Sequence, residues 1–533
     1  MMRLRTMGNA MTLCVMVAVI VAGTGGAASA QIKTSAGPIE GATSADGGVR
    51  VFKGIPFAAP PVGEGRWKAP AAVTPWTAVK KAVAFAPRCA QGRIFGDMVF
   101  RDEMSEDCLY LNVWTPAARA GEKLPVMFWI HGGGFQAGSA SEPRQDGERL
   151  ARKGVVVVSA NHRLGVFGFL AHAALTSESG RNASGNYGLL DQIAALQWVH
   201  DNIAAFGGDP GKVTIFGESA GSFAVSALVV SPLAKGLVHR AIGESGAFFS
   251  LGSGALRTQP LSAAEESGAK FSSGLGAADL TALRAKTTDE VLQAALKGQW
   301  FSPIIDGYVL PRSAAEIYAA GQQNTVPLLA GWNADEIRSS VTLATVAPTV
   351  ASFTEQTRKR FGPAADAILK AYAPSTDAEA IEAAAALAND TFIGYSTWKW
   401  IQVHATTGAP VYRYSFDRKI PVAPDTKVNG KIVTSADIGA RHAGEIEYVF
   451  GQLETVPKVT WPPEDRALSD QMMSYWSNFA RTGNPNGKGL PTWPLYDAAS
   501  GAGVLHLDTT ITARKDEFKA RYEALDGLAA GSK

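Results

Sequence analysis

Short apolar runs recur along this sequence, with helix-like segments between them. Residues 124–130 (LPVMFWI) and 155–159 (VVVVS) are the clearest, and 213–216 (VTIF) is a third. A run that is apolar at successive positions suits a strand covered on both faces, as in a parallel sheet. Residues 109–114 alternate like a strand, and further strand-like segments fall at 237–242, 326–330 and 411–415. Residues 187–203 space Leu190, Ile193, Ala194, Trp198 and Ile203 roughly as one helix face does. Buried strands alternating with helices predict an α/β fold built on a mostly parallel sheet. Residues 255–322 and 350–408 are alanine-rich and helical, and read as insertions on that scaffold. Residues 31–75 read as small strands and turns, and 513–525 as an amphipathic surface helix. The length of 533 residues would admit about two to four domains. No Pro- or Ser-rich linker divides the chain, so residues 31–533 read as a single domain with helical insertions.

The first thirty residues have a different character. Arg3 and Arg5 precede an apolar stretch at 11–22, and Ala28-Ser29-Ala30 follows. This is the layout of a secretory signal peptide with its small-residue cleavage site. The stretch is well short of the roughly 20 apolar residues a membrane span needs. Residues 1–30 are therefore expected to be removed, Cys14 with them, leaving a periplasmic or secreted protein that begins near Gln31. Cys89 and Cys108 remain. In an oxidising compartment they are expected to pair; two buried free thiols are the alternative. Two cysteines cannot build a tetrahedral zinc site, so no metal is expected. The formal charge of +2, without blocks of like charge, gives no reason to expect nucleic acid or a polybasic membrane contact.

The chemistry is concentrated at Gly217-Glu218-Ser219-Ala220-Gly221, where a strand run meets a helical run. A Gly-x-Ser-x-Gly at such a junction can hold the serine in a sharp turn, its hydroxyl raised at a helix N-terminus. The chain has 56 glycines, so the pattern alone is a weak signal, and its placement carries the argument. Gly243-Glu244-Ser245-Gly246 resembles it, but position 247 is alanine. A serine nucleophile needs a base, a group to orient that base, and donors for an oxyanion. His131-Gly132-Gly133-Gly134-Phe135 directly follows the 124–130 run, and its glycines let backbone N–H groups approach a substrate. The Lys-Ser/Thr tail of a phosphate-binding loop is missing.

Two long segments resemble the type-B carboxylesterase/lipase family, which includes cholinesterases and bacterial esterases. One runs from Phe206-Gly207-Gly208-Asp209-Pro210 through the serine motif. The other is Glu106-Asp107-Cys108-Leu109-Tyr110-Leu111-Asn112-Val113. Further pieces are Gly54-Ile55-Pro56-Phe57, Asn161-His162-Arg163-Leu164-Gly165 and Trp476-Ser477-Asn478-Phe479-Ala480. The resemblance implies an α/β-hydrolase fold with catalytic residues in the order Ser, acid, His. It makes Ser219 the nucleophile. It makes Glu336, in Asn333-Ala334-Asp335-Glu336, the acid, with Asp335 as the rival. Ile337 stands where the family usually has glycine. His442, in Gly439-Ala440-Arg441-His442-Ala443-Gly444-Glu445-Ile446, is the implied base. The oxyanion donors fall on the N–H groups of Gly133, Gly134 and Ala220, and Cys89–Cys108 matches the first family disulfide. His131 is expected to support the loop. Glu218 is expected to tune the site, and Phe135 to help build the substrate pocket. The 89–108 loop has no tryptophan, which disfavours a quaternary-ammonium substrate.

The reading is an exported serine carboxylic-ester hydrolase acting on small-molecule esters, without metal or organic cofactor and without a stable membrane span. The alternatives are a related acyl transfer on the same site (amidase, thioesterase or transacylase) and a non-catalytic, cholinesterase-like binding protein.

Overall fold

The computed structural model describes residues 30–530 apart from 97, 101, 250, 252–257 and 429. The expected leader, Cys14 included, thus lies outside the described residues except for Ala30. Among the described residues thirteen strands form one sheet. Twelve lie along its path: β1 (Ala30–Lys33), β2 (Pro38–Thr43), β3 (Arg50–Pro56), β4 (Tyr110–Thr115), β5 (Leu124–Ile130), β6 (Val156–Ala160), β7 (Gly208–Glu218), β8 (Arg240–Glu244), β9 (Leu328–Asn333), β10 (Val411–Phe416), β11 (Val504–Leu507) and β12 (Thr512–Arg514). Their spatial order is β1-β2-β3-β4-β6-β5-β7-β8-β9-β10-β11-β12, and the short strand Lys80–Lys81 pairs with β2. From β6 to β11 every neighbouring pair is parallel. Both ends of the sheet are antiparallel.

The continuous apolar runs are explained by two cores, one on each face. In β5, Val126, Phe128 and Ile130 enter one hydrophobic cluster, while Met127 and Trp129 enter the other. Successive side chains of a strand point to opposite faces, so a strand covered on both sides needs apolar residues at odd and even positions alike. Helix α1 (Tyr187–Asn202) and helix α2 (Ala220–Val230) cover one face through Leu196, Val199, Phe223 and Leu228. The helices expected at 255–322 fall between β8 and β9, among them α3 (Leu261–Gly274) and α4 (Thr288–Ala295). Those at 350–408 fall between β9 and β10, including α5 (Val350–Phe361), α6 (Asp377–Asn389) and α7 (Tyr395–Ala405).

Two expectations need correction. The strand read at 237–242 is Arg240–Glu244, because the register Thr214↔Arg240 to Glu218↔Glu244 follows its longer neighbour β7 to its end. The helix read at 513–525 is displaced. Its first residues form β12 against β11, and the helix α8 runs Lys519–Ala530. Tyr522 and Leu525 of α8 are fully buried, and Tyr522 meets Trp332 edge to face at 5.4 Å. An edge strand of three residues carries too little periodic signal to compete with the charged stretch beside it.

Candidate active site

Ser219 sits where β7 ends and α2 begins. Its φ of 53° and ψ of −121° lie where side-chain-bearing residues are rare. Its N–H donates to the Glu244 carbonyl at 2.8 Å, which ties the turn to β8. The flanking glycines are required by contact. A Cβ on Gly217 would lie 2.7 Å from the Ile130 carbonyl oxygen, and one on Gly221 2.0 Å from it. The turn is thus pressed against the end of β5.

The loop after β5 lies on the other side of this junction. Gly133 and Gly134 both have positive φ, 108° and 62°. The Gly133 carbonyl accepts from Gln136 and Ala137 N–H, which curls the loop inward. Ala220 opens α2, so its N–H has no carbonyl one turn back to bind. His131 is buried below the loop, its Nδ1 2.9 Å from the Gly132 carbonyl and its ring stacked on His162 at 4.4 Å. Burial pulls its pKa down to about 4.

His442 comes from the loop after β10. Its N–H donates to the Glu336 carbonyl at 3.0 Å. Its Nε2 is 2.9 Å from Ser219 Oγ and its Nδ1 2.5 Å from Glu336 Oε2. The other Glu336 oxygen accepts from Ser245 Oγ at 2.6 Å and from Asn333 N–H at 2.9 Å. Asp335 turns away: it accepts from Ala440 N–H at 3.1 Å and lies 3.8 Å from Arg338. Serine, imidazole and carboxylate therefore form one continuous hydrogen-bonded line, drawn from three widely separated chain segments.

Glu218 lies beneath the line, buried, with Oε1 3.3 Å from His442 Nε2. Burial pushes its carboxyl up to about 8, against the pull of His442. Burial lowers His442, but the charges of Glu218 and Glu336 outweigh it and raise the imidazole to about 9. The two shifts belong to one equilibrium. A neutral Glu218 withdraws the largest of the charges that hold a proton on His442, leaving Glu336, with Glu445 behind it. Glu445, buried behind, is raised to about 7 by burial and by the Glu336 charge.

The expected pocket residue Phe135 is 1% exposed, its ring packed edge-on to Phe169 and stacked with Phe248. It backs the loop. The residues that lie open here are Trp300, Phe95 and Phe392, the last meeting the His442 ring edge to face at 5.2 Å. Cys89 and Cys108 are joined by a disulfide. Among the described residues no cluster of His, Cys, Asp and Glu is arranged to hold a metal ion, and no helix is long and apolar enough to cross a membrane.

Ser245, Asn333, Glu445 and Phe392 were not singled out by the sequence as site residues. Ser245 had a visible signal, its near-copy of the serine motif. Asn333 and Glu445 lay inside the segments that carry the family resemblance without a role of their own, and Phe392 had no signal, because its importance lies in what it faces across the fold.

The family model described as the carboxylesterase family matches residues 28–525. The chain belongs to the carboxylesterase family. It is similar to carboxylesterase 1C of Rattus norvegicus, with 38% identity over 480 residues, 85% of this chain and 84% of that protein. It is also similar to fumonisin B1 esterase of Sphingopyxis macrogoltabida, with 37% identity over 87% of this chain and 84% of that protein. Among solved structures, the Geobacillus stearothermophilus carboxylesterase EST55 superposes with a TM-score of 0.77 at 33% identity, covering 93% of this chain and all of that one. A PNB esterase gives 0.76 at 34%, covering 93% and 99%. The fold is the α/β-hydrolase fold, and the carboxylesterase acts as a carboxylic-ester hydrolase.

Proposed function

We propose that this carboxylesterase cleaves esters through an acyl-enzyme formed on Ser219, with His442 as base and Glu336 as its orienting acid. The observation that carries the proposal is the line Ser219 Oγ–His442 Nε2, 2.9 Å, and His442 Nδ1–Glu336 Oε2, 2.5 Å, at a serine held with positive φ. Ser219 Oγ attacks the carbonyl carbon while its proton passes to His442 Nε2. The carbonyl π pair moves onto oxygen, where the N–H groups of Gly133, Gly134 and Ala220 receive the charge. The bond to the leaving oxygen then breaks, and that oxygen takes the proton from His442. Water repeats the sequence on the acyl-enzyme, releasing the carboxylic acid and restoring Ser219. Glu336 keeps the Nδ1 proton in place and stabilises the imidazolium in both halves. Glu218 sets how firmly that proton is held.

The test is hydrolysis of short p-nitrophenyl esters by the enzyme and by Ser219→Ala. The variant should lose at least ~10⁴-fold in kcat, the scale of removing a triad member, with its circular dichroism unchanged. A folded Ser219→Ala that keeps its rate sinks the assignment.

Residues 31–533 are read as one catalytic domain, and residues 1–30 as a leader that directs export. Support for export comes from the leader's composition and from the Cys89–Cys108 disulfide. Amino-terminal sequencing of protein recovered outside the cytoplasm should begin near Gln31; an intact Met1 there contradicts the leader.

A further inference from the structure

A cavity of about 280 Å³ opens beside the oxyanion loop, between the disulfide loop, residues 164–167 and the end of α4 with the turn that follows it. Its apolar walls include Ile94, Leu164, Val166, Leu292, Leu296 and Trp300. Three glutamines also line it, and each amide is anchored to a backbone carbonyl. Gln91 Nε2 donates to the Cys89 and Gly138 carbonyls at 2.9 and 2.7 Å, and its Oε1 accepts from Gly138 N–H at 2.8 Å. Gln136 donates to the Phe301 carbonyl, and Gln299 to the Ser267 carbonyl at 3.0 Å. With these amides anchored and most of the wall apolar, an aliphatic chain gains most by entering the chamber.

Trp300 is the partition between this chamber and the reacting centre. A Cβ on Gly134 would lie 2.8 Å from Trp300 Cζ2, so the indole edge rests on the loop assigned to the oxyanion, while the same residue lines the chamber. Trp300 is 42% exposed and can turn aside without leaving a buried void. The chamber is slightly smaller than the ~300–1,000 Å³ that encloses a whole drug-sized ligand, which suits one arm of a substrate. The arm follows from the proton transfer. The leaving oxygen must face His442 Nε2 and the oxyanion must face Gly133, Gly134 and Ala220, so the acyl arm leaves the carbonyl carbon in a third direction, away from His442, and Trp300 beside Gly134 is within its reach.

We propose that this chamber takes the distal end of an unbranched acyl chain, led in past Trp300, and makes the enzyme selective for medium-chain over short-chain acyl esters. The proposal rests on Ser219 as the nucleophile. The test measures kcat/KM for p-nitrophenyl esters from acetate to dodecanoate in the enzyme, in Leu296→Trp, which fills the chamber from an exposed wall, and in Trp300→Ala, which removes the partition. Beyond butanoate the enzyme should gain roughly fourfold per methylene, the factor for burying one CH₂ group, up to a plateau. Leu296→Trp should lower the octanoate-to-acetate ratio at least about tenfold, as the loss of two buried methylenes would. Trp300→Ala should move the plateau to longer chains. Ile94→Trp, from another wall, gives the same reading should Leu296→Trp fail to fold. An octanoate-to-acetate ratio equal in the enzyme and the filled variants overturns the chamber while leaving the esterase mechanism standing. Acetate hydrolysis that survives Ser219→Ala overturns the mechanism, and the chamber with it.

Discussion

Gly217-Glu218-Ser219-Ala220-Gly221 and Gly243-Glu244-Ser245-Gly246-Ala247 are near-copies that lie side by side. Gly217 pairs with Gly243 and Glu218 with Glu244 across two parallel strands. Both serines leave their strands with positive φ, 53° and 60°. Yet Ser219 Oγ faces His442, while Ser245 is wholly buried and donates to Glu336. What separates them is where the chain goes next. After Ser219 it enters α2 directly, which holds the hydroxyl at a helix N-terminus beside the glycine-rich loop after β5. After Ser245 no helix begins, and the side chain points under Glu336, the proposed acid. The fifth position records the difference. Gly221 is pressed against Ile130, whereas Ala247 is fully buried with its methyl group accommodated. A local backbone conformation is therefore not a catalytic site until the neighbouring segments give it something to act on.

The largest contrast should be between the two serines themselves. Ser219→Ala should abolish turnover, while Ser245→Ala should lose about 10- to 100-fold in kcat. That range corresponds to one hydrogen bond to a charged group, ~1.5–3 kcal/mol. Steady-state kinetics on one short ester compares them directly, and equal losses would erase the distinction drawn here. At the fifth position the contrast is in stability. Gly221→Ala should cost about 3 kcal/mol or more by forcing apart the Ser219 turn and β5, while Ala247→Gly should cost about 1 kcal/mol. Urea midpoints would show it, and a Gly221→Ala protein as stable as its parent would mean that the close approach to Ile130 is not real.

The smallest effect concerns the paired glutamates. Glu218 is 3.3 Å from His442 Nε2, whereas Glu244 accepts from Trp476 Nε1 at 2.7 Å. As the proposed base His442 acts only when neutral, so kcat/KM should fall as pH drops through its pKa. Removing the Glu218 charge destabilises the imidazolium and lowers that pKa. Glu218→Gln should therefore move the acid limb of the pH profile to lower pH. A limb that stays in place would show that Glu218 is already neutral where His442 titrates.

Much of this architecture was readable in one dimension. Runs such as 124–130 are apolar at every position because both sheet faces are covered, and that pattern survives without any knowledge of neighbours. Ser219 was readable because a strand-to-helix turn this tight leaves room only for glycine at its flanks. The short edge strand β12 was hidden because three residues hold less than two periods of alternation.

The sequence by itself determined the α/β scaffold, the Ser219 turn and the glycine-rich loop, since each follows from local sterics or periodicity. Family resemblance pointed to Glu336 and His442, but only the tertiary structure separated Glu336 from Asp335, by turning one carboxylate to His442 and the other to Ala440 and Arg338. It alone gave Ser245 a partner, set Phe392 against the imidazole and put Trp300 on Gly134. Those relations join segments far apart in the chain, and no local pattern encodes a distance across a fold.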